Sequence, residues 1–189
     1  MPRHTDAREK MVTSAALLIR EDGIAGTGFR DVVAHSGAPR GSIGHHFPGG
    51  KEELVSDAVR WAGAIATRAI ARAAERGTTE DAVRTIVAIY RRSLTDTQFA
   101  AGCPVGTVAQ EGHSNPALRA ATKQVFDDWR AILFKSLKRD GWRAKEARRL
   151  ADGAIAGIEG ALMMARVDQS TTPLDHTEQI LLGAVRRPG

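Results

Sequence analysis

Three groups of residues in this 189-residue chain could do chemistry at a defined place. The first is Cys103, the one cysteine, followed directly by Pro104. The positive end of a helix lowers a thiol's pKa, so a cysteine at a helix start is a candidate nucleophile. Covalent catalysis also needs a base in hydrogen-bond reach and an oxyanion site. The nearest histidine in sequence, His113, falls about 15 Å further along the same short helix. Cys103 therefore reads as a small residue packed at a helix start or pocket rim, and no catalytic residue is assigned. The second group is His45-His46. Adjacent helical residues diverge by about 100°, and no further His or Cys stands at ligand spacing, so no metal and no cofactor is expected. The third is the run Arg40-Gly41-Ser42-Ile43-Gly44-His45-His46. It combines hydrogen-bonding side chains with small residues that let backbone approach base edges and phosphates closely.

That run reaches a groove only if rigid elements carry it. A first helix is expected over 6–22, with Met11, Ala15, Leu18 and Ile19 on one face and Gly23 ending it. A second, over 28–36, has Phe29, Val32 and Val33 as its apolar face and Thr27 as N-cap. Gly37 suits a left-handed turn, where a side chain costs about 1 kcal/mol or more. Pro39 then opens a third short helix to His46. Val32, Val33 and Ile43 tie both helices to the first, leaving Arg40, Gly41, Ser42, His45 and His46 to face outward. Two short helices around a glycine turn make a helix-turn-helix.

Net charge does not carry this reading. The chain is +5 overall, yet residues 1–60 hold eight Lys/Arg against eight Asp/Glu. A lone cysteine fits a reducing cytoplasm, and neither a signal peptide nor the roughly 20 apolar residues of a membrane helix are seen. A cytoplasmic protein away from membranes is expected.

Helical periodicity continues through 51–75, 79–94, 103–112, 116–140, 143–167 and 172–185, with Pro and Gly gathered between these segments. The fold class is all-α: nine helices, with a helix-turn-helix domain over 1–50 and a helical ligand-binding and dimerisation domain over 51–189. Phe126 and Trp129 lie on a helical stripe, with Tyr90, Phe99 and Met163 as further bulky candidates. With Cys103, Val105, Leu162 and the isolated Glu159 they make the expected pocket for an apolar or aromatic effector. Glu159 would orient a cationic or hydroxylated ligand. Gly153, Gly157 and Gly160 cost close to 1 kcal/mol each inside a helix. Close helix–helix approach compensates, so these glycines, Ala161, Met164 and Leu181 are assigned to a two-fold homodimer interface.

The run Gly23 to Leu54 resembles the N-terminal domain of the TetR family. The likeness lies in Gly23, Thr27, Arg30-Asp31-Val32, Gly37, the recognition helix around Ser42-Ile43 and His45-His46-Phe47, and Lys51-Glu52-Glu53-Leu54. It implies a homodimeric, ligand-responsive repressor of a DNA operator. Arg40, Ser42, Ile43 and His45 match positions that touch bases, and Thr27, His46 and Lys51 match positions that touch phosphate or cap a helix. With Arg30 and Gly41 they form the expected DNA-binding set. Gly44 replaces the family's usual tyrosine and Gly28 a common hydroxyl residue. Ala101 to Glu111, with Phe47-Pro48-Gly49-Gly50-Lys51, is similar to the LmrA/YxaF-like branch, which implies release by aromatic small molecules. Two other functions fit the residues: a small helical enzyme using Cys103, and a helix-turn-helix mediating only protein contacts.

Overall fold

The computed structural model describes residues 3–39 and 41–186. Arg40 lies outside the described residues. Among these residues there are nine helices and no strand: α1 (Arg3–Gly26), α2 (Phe29–Ser36), α3 (Ile43–His46), α4 (Gly50–Arg76), α5 (Thr79–Asp96), α6 (Pro104–Glu111), α7 (Pro116–Arg139), α8 (Ala144–Asp168) and α9 (Thr172–Val185).

Capping chemistry sets several of the boundaries. Thr78 accepts from the Asp81 N–H while the Asp81 carboxylate accepts from the Thr78 N–H, a reciprocal box that starts α5. Asn115 caps α7 by accepting from Ala117 and Leu118 at 2.9 and 3.1 Å. At α2 the cap differs from expectation. Gly28, not Thr27, is the N-cap, and its N–H donates to Asp31 at 2.9 Å. The Thr27 hydroxyl donates instead to the Gly23 carbonyl at 2.8 Å, inside the fold. Gly23, with φ 76°, interrupts α1, but the chain resumes a turn to Gly26. That turn survives because the Glu111 carboxylate accepts from the Ile24 N–H at 2.7 Å.

The chain divides into two compact units, Met1–Ala64 with Pro104–Val125, and Ile65–Cys103 with Phe126–Gly189. The first unit holds α1, α2, α3, α6 and the beginnings of α4 and α7. Met11, Ala15, Ile19, Val32, Phe47, Leu54 and Val55 are fully or almost fully buried there. Gly63 lets α4 approach Val125 of α7 so closely that a methyl group would collide with the valine. The second unit holds α5, α8, α9 and the remainders of α4 and α7. Val83, Val87, Leu94, Leu133, Leu137, Leu162 and Leu174 form its core. There the Arg91 guanidinium on α5 donates to Asp175 and Glu178 of α9, at 2.7 and 2.8 Å.

Gly37 has φ 65° and ψ 17°, the left-handed conformation the turn required, and a methyl group there would meet no atom within 4 Å. Backbone strain is thus the whole cost of a substitution. Gly37→Ala should lower unfolding free energy by about 1 kcal/mol in urea titrations, with the fold retained. An unchanged midpoint would contradict the strain argument.

Candidate functional site

The outward segment after Gly37 is shorter as a helix than expected. Pro39 does not open it; a turn comes first, with the Ser42 N–H donating to the Pro39 carbonyl at 3.0 Å, and α3 occupies only Ile43–His46. Two glycines in this stretch each disfavour helix by about 1 kcal/mol, and a single turn scarcely outweighs the cost of nucleation. The geometry nevertheless turns the polar groups outward. Gly41, Gly44 and His45 are exposed, Ser42, Ile43 and His46 half-buried. Ser42 donates its hydroxyl to the Pro39 carbonyl at 2.7 Å and keeps its oxygen as an acceptor. Arg30 on α2 is exposed, Lys51 at the start of α4 is half-buried, and Thr27 is only 3 % exposed. Thr27 therefore supports the turn from within and offers no surface to a phosphate.

Arg8 of α1 holds this short helix in place. Its guanidinium donates to the His46 carbonyl at the end of α3, to Glu53 at 3.2 Å and to Asp57 on α4, and lies 4.9 Å over the buried Phe47 ring. His35 of α2 pairs with Ser14 of α1 at 3.0 Å. Sequence reading missed both contacts. Arg8 stands where its α1 surface meets a turn that only the folded chain brings near, so its spacing carries no signal.

In the second unit a polar cluster lies among apolar side chains. The Tyr90 hydroxyl donates to the Cys103 sulfur at 3.1 Å, and Cys103 hydrogen-bonds the Glu159 carboxylate. Burial pushes Glu159 up to about 7, from an ordinary 4.5, while the Cys103 bond works weakly against it. Tyr90 is raised too, by burial first and then by the charges of Cys103 and Glu159. Phe126 meets Trp129 edge to face at 5.7 Å, and the indole N–H donates to Thr67 at 3.1 Å. Leu162 is buried, and Phe99 is half-buried with a left-handed φ of 64°. Two residues of the expected pocket lie elsewhere. Val105 is buried in the first unit, and Met163 is 53 % exposed because it points off the outer face of α8.

That outer face carries Met163, Met164 and Val167, and Ile180 stands exposed on α9. A methyl group added at Gly153 or Gly160 would meet nothing within 4 Å, and at Gly157 only Thr177 at 3.5 Å. Ala161 and Leu181, assigned to the same face from sequence, are 3 % and 8 % exposed and pack inside the unit. The helical period turns them inward: Ala161 sits only one residue from Gly160 and so about 100° round the helix.

Comparison with known proteins decides what this arrangement belongs to. Residues 12–58 match the bacterial regulatory proteins of the tetR family, and residues 79–180 match the C-terminal domain of LmrA/YxaF-like transcriptional regulators. The HTH-type transcriptional regulator Rv0196 of Mycobacterium tuberculosis is 40 % identical over 174 residues, 89 % of this chain and 88 % of its own length. The chain belongs to the TetR family. YxaF, an HTH-type transcriptional regulator of Bacillus subtilis, is 32 % identical across the whole of both chains. A TetR transcriptional regulator from Chloroflexus aurantiacus has the same fold at a TM-score of 0.80, with 30 % identity, covering 98 % of this chain and 96 % of its own. In TetR-family terms α2 and α3 form the helix-turn-helix, and the chain is a DNA-binding transcriptional regulator rather than an enzyme.

Two measurements test the site. Arg8→Met keeps the stacking over Phe47 but removes the bonds to His46, Glu53 and Asp57; operator affinity in a gel shift should fall about tenfold, roughly 1.4 kcal/mol. Unaltered affinity would show that α3 holds itself. Glu159 has a folded pKa above its unfolded value, so its protonated form favours the folded state. Stability relative to Glu159→Gln should be highest below about pH 4.5 and fall as pH rises to about 7. Urea titrations across that window check it, and a flat difference would place the carboxylate in water.

Proposed function

We propose that this TetR-family regulator is a cytoplasmic homodimeric repressor that binds a pseudo-palindromic operator and is released by an apolar or aromatic effector. The reading rests on one observation above others: a polar segment, Gly41 to His46, turned outward from a clamped three-helix support. Arg40, Ser42, Ile43 and His45 read bases in the major groove, and Arg30, Gly41, His46 and Lys51 address the backbone. Residues 1–50 act as the DNA-reading domain and 51–189 as the effector and dimer domain.

The exposed face of Met163, Met164, Val167 and Ile180, with open glycines beside it, supports pairing of two copies through α8 and α9. Such a pair presents two readers to successive major grooves, about 34–36 Å apart. The cluster of Tyr90, Cys103 and Glu159, with Phe99, Phe126, Trp129 and Leu162 in the same unit, supports an effector site. Pro104 follows Cys103 in the chain, so a shift of Cys103 passes by covalent bond into α6. At the far end of α6, Glu111 holds the Ile24 N–H beside the Gly23 kink of α1. Effector and operator then favour different arrangements of α6, and their affinities are coupled with opposite sign.

Replacing Arg40 and His45 together by alanine removes two outward groups and no core contact. Operator affinity should drop by about a hundredfold or more in a gel shift, with helical circular dichroism retained. Wild-type affinity in that double variant would contradict the assignment.

A further inference from the structure

The polar groups of the second unit have a donor–acceptor imbalance that points to the chemistry of the ligand. Tyr90 spends its one proton on the Cys103 sulfur, and Cys103 is bonded in turn to Glu159. A thiol is a weak donor, and a carboxylate offers about four lone-pair positions. Among the described residues the Cys103 thiol is the one side chain that hydrogen-bonds Glu159, and no cationic group contributes to its titration. The charged residues on the neighbouring helices are occupied with each other: Arg91 of α5 with Asp175 and Glu178 of α9. All unused capacity in the cluster is therefore acceptor capacity.

The cluster is also reachable. Tyr90 and Glu159 both retain accessible surface, although burial is the leading cause of the upward shift in each. Both conditions hold together where a side chain lines a recess, crowded by protein on most sides and open on one. A recess with apolar and aromatic neighbours and only acceptors at its polar point is left unsatisfied by a neutral hydrocarbon. A ligand bearing an N–H cation satisfies it, because a charge-assisted bond to a desolvated carboxylate is about twice as strong as a neutral one.

We propose that the effector is an apolar molecule carrying a single ammonium or amidinium group, and that Glu159, beside Cys103 and Tyr90, is the residue that selects it. This rests on the effector-release reading given above. The selection is electrostatic: a cation restores to Glu159 the compensation that burial removed, whereas an alcohol of the same shape offers a donor without charge. Binding also fixes the carboxylate in its ionised form, so the cation displaces whatever proton Glu159 holds.

Calorimetric titration of the full-length protein with matched pairs of arylalkyl amines and alcohols tests this. Naphthylmethylamine with naphthylmethanol and phenylbutylamine with phenylbutanol are suitable probes. Each amine should bind about tenfold tighter than its alcohol or better, and at about pH 6 should release close to one proton, read from two buffers of different ionisation enthalpy. Glu159→Gln should erase both the preference and the proton release, while Tyr90→Phe, which leaves the carboxylate in place, should keep them. If the alcohols bind as tightly as the amines, or Glu159→Gln keeps the preference, the charge selection is overturned while the effector pocket stands. If neither member of any pair binds, the pocket reading falls with it.

Discussion

The Arg8 guanidinium gathers the His46 carbonyl, Glu53, Asp57 and the Phe47 ring around one side chain of α1. A four-residue helix preceded by a glycine has almost no stability of its own, because nucleation fixes several residues for very few hydrogen bonds. The reader of this protein is therefore a shape imposed from outside. Gly37 sets the direction in which the chain leaves α2, and Arg8 fixes where α3 ends. Between these two anchors the segment stays rich in glycine, and side chains as small as Ser42 can bring backbone near a phosphate.

Much of the architecture was legible because each boundary has a local cause. Asn115-Pro116 and the Thr78–Asp81 pair announce helix starts, and Gly37 announces a left-handed turn. Where local rules misled, a tertiary partner had intervened. Thr27 has the right chemistry for a cap but spends its hydroxyl on Gly23, and Asp31 does the capping from the other side. Pro39 suits a helix start, yet the two glycines that follow leave a turn in its place. Glu111 and Arg8 were silent in the sequence, since each acts on chain far away: 87 residues for Glu111 and Ile24.

Site residues in the second half were read less well, for a geometric reason. Ala161 and Met164 lie three positions apart but face opposite environments, one buried and one 59 % exposed. Composition marked the helix as unusual without saying which way it was rotated. The cluster of Tyr90, Cys103 and Glu159 comes from three separate segments, so only the fold could assemble it. It also changes how Cys103 is understood. The partner missing from the sequence is present as Glu159, but as a buried carboxylate near pH 7 in a recess, part of a ligand-facing surface in a regulator of transcription.

The central claim is that the segment from Gly41 to His46 reads DNA as one of a symmetric pair. Selecting random DNA fragments with the purified full-length protein and sequencing those retained tests it directly. The account predicts an enriched inverted repeat whose half-site centres lie about one helical turn, or a multiple of it, apart. Recovery of fragments with no shared motif, or with a single unpaired one, would contradict it.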